Sequence, residues 1–399
     1  MLPILFILTF FSTSFAAALL VSWNANSEAD LAGYKLYYGT EQANYTESVD
    51  VGSATSYIVE NLTEGQTYYF VLTAYDLSGN ESAPSDEASA TVIGPQTIAT
   101  ASPQGVTIQW SPIQGADSYN VYRNRNPYAP ADTLVATVTE NSFLDSEHPR
   151  TKGIGSYYTV KALAGGSEIY TFNRLGVFNV ALTKGRNLVS LPLIPADSSI
   201  TSVLGSQLTG STNSISSDLA MVWNGTEYEA AWLVEGTASP YEGKWVTQSG
   251  DRESPLVLTP DMSFWIVIRN NHADSIVMVT GSIHSEPARS MTLARGQNFL
   301  GCPFPTAVPL AESELAADGV VMGSSFSAGS DQLRKWTGSG WEIAWLVRGT
   351  GTEWDGKWMN GAGTGLSTMQ FEPGKGYLLY IKHDNPNKEW TIPNPDPNL

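Results

Sequence analysis

The chain has 399 residues, room for roughly two to four domains with separate cores. Charged residues are sparse at 15%, while Gly (36), Trp (12), Tyr (18) and Phe (13) are plentiful, a balance that favours β-structure over helix bundles. A formal net charge of -18 argues against nucleic acid and anionic membrane surfaces as partners, because phosphate binding needs clustered Lys and Arg.

The chain opens with "MLPILFILTFFSTSFAAALL", uncharged, apolar and ending in small residues. The apolar stretch is too short and too rich in hydroxyls for a membrane span, and Ser14-Phe15-Ala16 resembles a signal-peptidase site. Residues 1–17 are therefore read as a signal peptide, although they lack the usual Lys or Arg. The expected location is extracellular or at the cell surface, with the periplasm as the alternative, and no membrane span is expected after cleavage. "EWTIPNPDPNL" at the end carries neither an apolar tail nor a basic stop, so no C-terminal anchor is recognisable, and release and retention by partners both stay open. Cys302 is the only cysteine; it stands in "NFLGCPF" where "NLVSLPL" has Leu191, which marks it as a small core residue rather than a nucleophile.

Past residue 17, short apolar strands alternate with Gly, Asn, Asp and Ser turns about every ten residues, as in β-sandwiches. Leu19, Val21 and Trp23 share one strand face, Tyr34, Leu36 and Tyr38 another, and Tyr68, Phe70, Leu72 and Ala74 a third. "VSWNANSEADLAGYKLYYG", "LTEGQTYYFVLTAYDLSGNESAPS" and "EASATV" make residues 18–94 resemble a bacterial fibronectin type III domain. The resemblance implies that Trp23 is the buried tryptophan of the second strand and that Leu62-x-x-Gly65-x-x-Tyr68 forms a tyrosine corner. The first strand is expected to be short or missing, which leaves an edge. Residues 95–182 resemble a more divergent copy, with Trp110, Tyr119 and Val121 in "GVTIQWSPIQGADSYNVYR" and with Ser156 or Tyr157 at the corner position.

The remainder is an internal duplication, 183–290 and 291–396. "WNGTEYEAAWLVEGTASPYEGKW" aligns without gaps with "WTGSGWEIAWLVRGTGTEWDGKW", identical at 12 of 23 positions. Each copy is read either as a small β-rich domain or as half of a pseudo-symmetric sandwich. The layout resembles a β-rich module found near the C-terminus of secreted bacterial multidomain proteins. The predicted fold class is all-β: tandem immunoglobulin-like (fibronectin type III) sandwiches followed by two homologous β-rich domains, arranged as extended beads.

Each copy repeats five aromatics: Trp223, Tyr228, Trp232, Tyr241 and Trp245, then Trp336, Trp341, Trp345, Trp354 and Trp358. Asn224-Gly225 signals a two-residue type I′ hairpin that pairs Trp223 with Thr226. Strand alternation then puts Met221, Trp223, Tyr228, Ala230, Trp232 and Val234 on one face, predicted as core, together with Trp336, Trp341, Ile343, Trp345 and Val347 of the second copy. Arg334, at the Met221 position, is expected at the rim. A second turn signal, Asp355-Gly356 and its counterpart Glu242-Gly243, turns Trp358 and Trp245 inward and leaves Trp354 and Tyr241 near the tips beside Lys357 and Lys244. An exposed ring beside a cation can stack on a sugar or pack on a partner, so Tyr241, Lys244, Trp354 and Lys357 are the candidate ligand-binding residues.

Positive signals for catalysis are missing. His148, His272, His284 and His383 have no metal-ligand spacing, and no nucleophile elbow or phosphate loop occurs. Acid pairs such as Glu312 and Glu314 read as surface carboxylates, and "DLSGNE" (76–81) as a structural turn rather than a Ca²⁺ loop. No cofactor or metal is expected. The leading expectation is an exported non-enzymatic modular protein, an adhesion or structural component with an extracellular protein or polysaccharide as partner. A carbohydrate-binding protein and an accessory subunit of a secreted enzyme are the alternatives.

Overall fold

In the first unit, alternating side chains build two facing sheets. The strands are β1 (Phe6–Thr9), β2 (Ala17–Trp23), β3 (Leu31–Gly39), β4 (Glu47–Gly52), β5 (Ser56–Leu62), β6 (Thr67–Asp76) and β7 (Ala88–Thr91). They pair in the orders β1-β2-β5 and β4-β3-β6-β7. Trp23, Tyr34, Leu36, Phe70 and Leu72 fill the space between the sheets, as alternation requires. The Tyr68 hydroxyl accepts from the Thr63 amide (3.2 Å), the expected tyrosine corner, and Tyr34 ties the Asn26 amide in the same way (2.7 Å). This computed structural model describes residues 6–9 and 17–396, apart from 64, 93, 94, 103, 237, 238, 270, 318 and 384–387. Most of the predicted signal peptide, including Ser14-Phe15-Ala16, lies outside the described residues. Where the sequence suggested a short or missing first strand, Phe6–Thr9 runs antiparallel to β2, pairing Phe6 with Trp23 and Thr9 with Leu20. This strand lies inside the predicted leader, so it covers the β2 edge in the uncleaved chain, and cleavage would leave that edge open, as the sequence suggested.

The second unit repeats this topology with β8 (Thr97–Ser102), β9 (Gly105–Trp110), β10 (Ser118–Asn124), β11 (Leu134–Val138), β12 (Ser142–Asp145), β13 (Gly155–Ala164), β14 (Ser167–Thr171) and β15 (Leu175–Leu182). One sheet runs β12-β9-β8; the other runs β11-β10-β13-β15, with β14 also on β13. Neither Ser156 nor Tyr157 forms a tyrosine corner. Ser156 is buried, and the Tyr157 hydroxyl points to the Pro305 carbonyl (3.5 Å). A buried network at the next residue does the fastening: Tyr158 donates to Asp145 (2.6 Å), which also pairs with Arg123 (2.6 Å).

The duplicated half contributes β16 (Gly185–Ser190), α1 (Ile200–Leu204), β17 (Leu219–Trp223), β18 (Tyr228–Leu233), β19 (Trp245–Thr247), β20 (Ser263–Ile268) and β21 (Ser275–Ser282). The second copy contributes β22 (Ala288–Leu293), β23 (Gly296–Leu300), β24 (Val308–Pro309), β25 (Gln332–Trp336), β26 (Trp341–Leu346), β27 (Trp358–Asn360), β28 (Gln370–Phe371), β29 (Tyr377–Ile381) and β30 (Lys388–Pro393). Each copy builds a five-stranded sheet, β16-β20-β17-β18-β19 and β23-β29-β25-β26-β27. The last strand of each copy also pairs with the strand that precedes its sheet: β21 with β15, and β30 with β22. β15 therefore belongs to two units at once, since its first half bonds β13 and its whole length bonds β21. The boundary read at 182/183 falls at the end of this shared strand, and the units around it are not separate beads.

One face of each sheet covers its own core, around Leu191, Val222, Leu233 and Trp245 in copy 1 and around Cys302, Leu333, Leu346 and Trp358 in copy 2. The opposite faces meet in an aromatic seam. Trp265 of copy 1 packs edge-on against Trp336 (5.5 Å) and Trp341 (6.0 Å) of copy 2. Phe299 of copy 2 packs against Trp223 (6.3 Å) and Tyr228 (5.8 Å) of copy 1. This corrects the predicted core face. Ala220, Val222, Ala231 and Leu233 point into the copy 1 core, while Met221, Trp223, Tyr228 and Ala230 occupy the other face. Both faces of these sheets are covered, so apolar alternation does not say which one is the interior.

Candidate functional site

The aromatic hairpins are set by two turns in each repeat. The first is longer than the two residues predicted: Trp223 pairs with Tyr228 and Trp336 with Trp341, leaving four-residue loops. In copy 1 the Asn224 side chain causes this by accepting from the amides of Thr226 (3.0 Å) and Glu227 (2.9 Å), which draws these two residues into the loop and moves the partner of Trp223 from Thr226 to Tyr228. The second turn closes where predicted. Lys244 and Lys357 donate their amides to the carbonyls of Tyr241 and Trp354, each at 2.9 Å. Only the glycines take positive φ, Gly243 at 74° and Gly356 at 82°, so these are type II rather than I′ turns. The carboxylates before those glycines brace the loops: Glu242 accepts from the Gly236 amide (2.9 Å) and Asp355 from the Thr350 amide (3.0 Å). Hydrogen bonds from Thr350 hold the Asp355 carboxyl below the usual range.

These turns send the rings in different directions. Trp245 and Trp358 are buried in the two main cores. Trp232 and Trp345 are buried in small satellite clusters, with Val234 and Val246 and with Val347 and Met359. Trp341, predicted as core, is half-buried at the seam. Tyr241 packs on the Trp232 cluster and donates its hydroxyl to the Asp251 carbonyl (3.0 Å), while Lys244 is drawn aside into an ion pair with Glu253. Trp354 is 37% exposed, with the Lys357 ammonium 5.8 Å from its ring centre. Of the four candidate residues, Trp354 and Lys357 thus form an open aromatic–cation pair, and Tyr241 and Lys244 face partners within their own repeat. Arg334 lies half-buried over the Tyr380 ring, 5.5 Å from its centre.

Each repeat also carries a buried aspartate that sequence reasoning missed. Asp218 accepts from the amides of Thr209 (3.0 Å) and Arg269 (2.8 Å) and contacts His272 Nδ1 (2.7 Å). Asp331 accepts from Met322 (2.7 Å) and Lys382 (2.8 Å), with His383 Nδ1 at 3.3 Å. The preceding serines, Ser217 and Ser330, donate to the Leu233 and Leu346 carbonyls, each at 2.9 Å. The repeated Ser-Asp dipeptide with a later histidine was the available signal. These dyads lace loops to the sheet and point to structure rather than chemistry. Cys302 is buried as expected, and burial pushes its thiol up to about 12. Asp76 accepts from the Ser78 and Asn80 amides (2.8 and 2.9 Å), which makes "DLSGNE" a self-satisfied turn. Among the described residues no cluster of three or more metal-ligating side chains occurs, and no helix is long and apolar enough to cross a membrane.

The strand order, the tyrosine corner and the tryptophan of the second strand define the first unit as a fibronectin type III domain, and residues 10–91 match the model of that family. Over its length the chain is similar to endoglucanase B of Cellulomonas fimi, 25% identical over 386 residues, covering 89% of this chain and 34% of the relative. Exoglucanase B of the same organism is 28% identical over 173 residues, covering 38% of this chain and 14% of the relative. The chain thus spans about a third or less of the curated relatives it matches. A two-domain fibronectin type III segment of chicken tenascin aligns with 43% of this chain and 95% of its own, at 19% identity and a TM-score of 0.22.

Proposed function

We propose that this chain is an exported, non-catalytic modular protein that acts on polysaccharide surfaces, as an accessory or spacer assembly of a carbohydrate-active system. The observation that carries this reading is its similarity, along 89% of its length, to about a third of an endoglucanase, in a chain built of β-sheet units. Trp354 with Lys357 supplies a contact of the right chemistry, because an open indole face stacks on the C–H face of a sugar ring. Relatives that are glucanases favour polysaccharide over protein adhesion as the context. The apolar leader agrees with export.

The test is retention of the intact chain on insoluble cellulose and on immobilised soluble β-glucans, with reducing-sugar release measured in parallel. Retention without hydrolysis is the expected result. Release of sugar, or passage of the chain through every polysaccharide matrix, refutes the reading.

A further inference from the structure

Two clefts stand at equivalent places in the two repeats, beside the first hairpin of each and away from the Tyr241 and Trp354 turns. In copy 1 a cleft of about 560 Å³ is lined by Tyr228, Glu229, Thr247, Gln248, Ser249 and Arg252. In copy 2 a cleft of about 640 Å³ is lined by Trp341, Glu342, Ile343, Asn360, Ser367 and Thr368. The common origin is a truncated strand pairing. β19 bonds only Ala231–Leu233 of β18, and β27 bonds only Ala344–Leu346 of β26. The first halves of β18 and β26 therefore form cleft walls, each starting with an aromatic ring followed by a glutamate. Tyr228 is 40% exposed, whereas Trp341 shows only part of its ring because the seam covers the rest.

We infer that the two clefts are a paired binding site for a neutral polysaccharide chain, one saccharide segment in each. This rests on the polysaccharide reading above and assigns it a place. Three observations favour that ligand. Each cleft joins one ring to hydroxyl and amide side chains, the set that recognises an uncharged sugar, and has the volume of a small-ligand site. Two glutamates against one arginine in the copy 1 lining (Glu227, Glu229 and Arg252), a Glu342 already paired with Lys335 in copy 2, and the net charge of -18 leave no cationic surplus in either cleft to attract an anionic polymer. Finally, duplicate sites at fixed separation gain by avidity only on a ligand that repeats, which a polysaccharide does and a single peptide strand does not.

The full chain is titrated against hydroxyethylcellulose, with carboxymethylcellulose as the anionic control and Trp354→Ala as the tip control. Gln248→Trp and Thr368→Trp plug the clefts from exposed rim positions that the seam does not use. Each plug is expected to weaken neutral-glucan binding about tenfold and the double variant about a hundredfold, with near-ultraviolet circular dichroism unchanged. The milder pair Gln248→Ala and Thr368→Ala removes hydrogen-bonding groups without filling space and should give a smaller loss in the same direction. Wild-type affinity in both double variants overturns the inference, and loss in Trp354→Ala alone then leaves the polysaccharide reading standing with the site at the tip. An extended lysine-rich peptide that binds the intact chain and is lost in the plugged variant, with glucan affinity unchanged, also overturns it. If the intact chain binds no neutral glucan, the parent reading falls as well.

Discussion

Replacing Asp218 by alanine removes a fully buried carboxylate from three donors: the Thr209 amide at 3.0 Å, the Arg269 amide at 2.8 Å and the His272 ring at 2.7 Å. Each stranded buried donor costs about 1–3 kcal/mol, and regaining the desolvation cost of the carboxylate offsets part of the sum. The net expectation is about 3–4 kcal/mol for Asp218→Ala. Asp331→Ala should cost about 1 kcal/mol less, because His383 lies farther away at 3.3 Å and is 43% exposed. Asp218→Asn keeps the shape and one acceptor, so it should fall between alanine and the parent. Urea unfolding followed by tryptophan fluorescence reads the effect, since ten of the twelve tryptophans lie in or beside the duplicated half. A loss under about 1 kcal/mol in Asp218→Ala, with unchanged m-value, would show that the dyad is incidental and refute the reasoning.

Burial holds His148 and His284 below their ordinary pKa, so the unfolded chain binds protons that the folded chain does not. Their contribution is fully present above about pH 6.5 and declines as the pH falls below it; the melting temperature should drop as the pH is lowered through this range, and less steeply in His284→Phe. The Glu81 carboxyl is held down to about 2 by hydrogen bonds from Thr73, Tyr37 and Lys35, so its contribution is present above about pH 4.5 and is lost on acidification through 2. Cys302 should resist alkylation in the folded protein and react once urea unfolds it; labelling without denaturant would contradict its burial. Tyr68→Phe should cost about 1 kcal/mol through loss of the bond to Thr63, read by thermal unfolding.

What the sequence made legible depended on whether local pattern and tertiary role agreed. Trp23, Tyr34 and Tyr68 sit where a single-core sandwich places them, because their sheets have one wet face. In the duplicated half the same reasoning chose the wrong side. Val222 and Leu233 face the core, whereas Trp223 and Tyr228 face the other repeat, so both faces carry apolar residues. The inward turn of Trp245 and Trp358 was readable because it followed from turn position, a local property. Turn length was not, since the Asn224 side chain outcompetes the two-residue hairpin by capping two amides. Asp218 and Asp331 escaped because, beside one donor nine residues back, the rest of their partners (Arg269 and His272, Lys382 and His383) come from segments more than 50 residues away, which no local spacing reports. The clefts arise from the early ending of β19 and β27, and strand length is the least readable property of a strand.

β15 has a consequence for how this chain can change over time. Its residues hold register with β13 on one side and with β21 on the other. A one-residue insertion or deletion within it would invert the inward and outward side chains of a fibronectin-like sandwich and of the neighbouring repeat together. Such a strand is a shared word in two sentences: neither unit can be spliced out, shuffled or replaced at residue 183 without rewriting the other. The heritable unit of this architecture therefore begins upstream of the duplication, at the sandwich that lends it a strand.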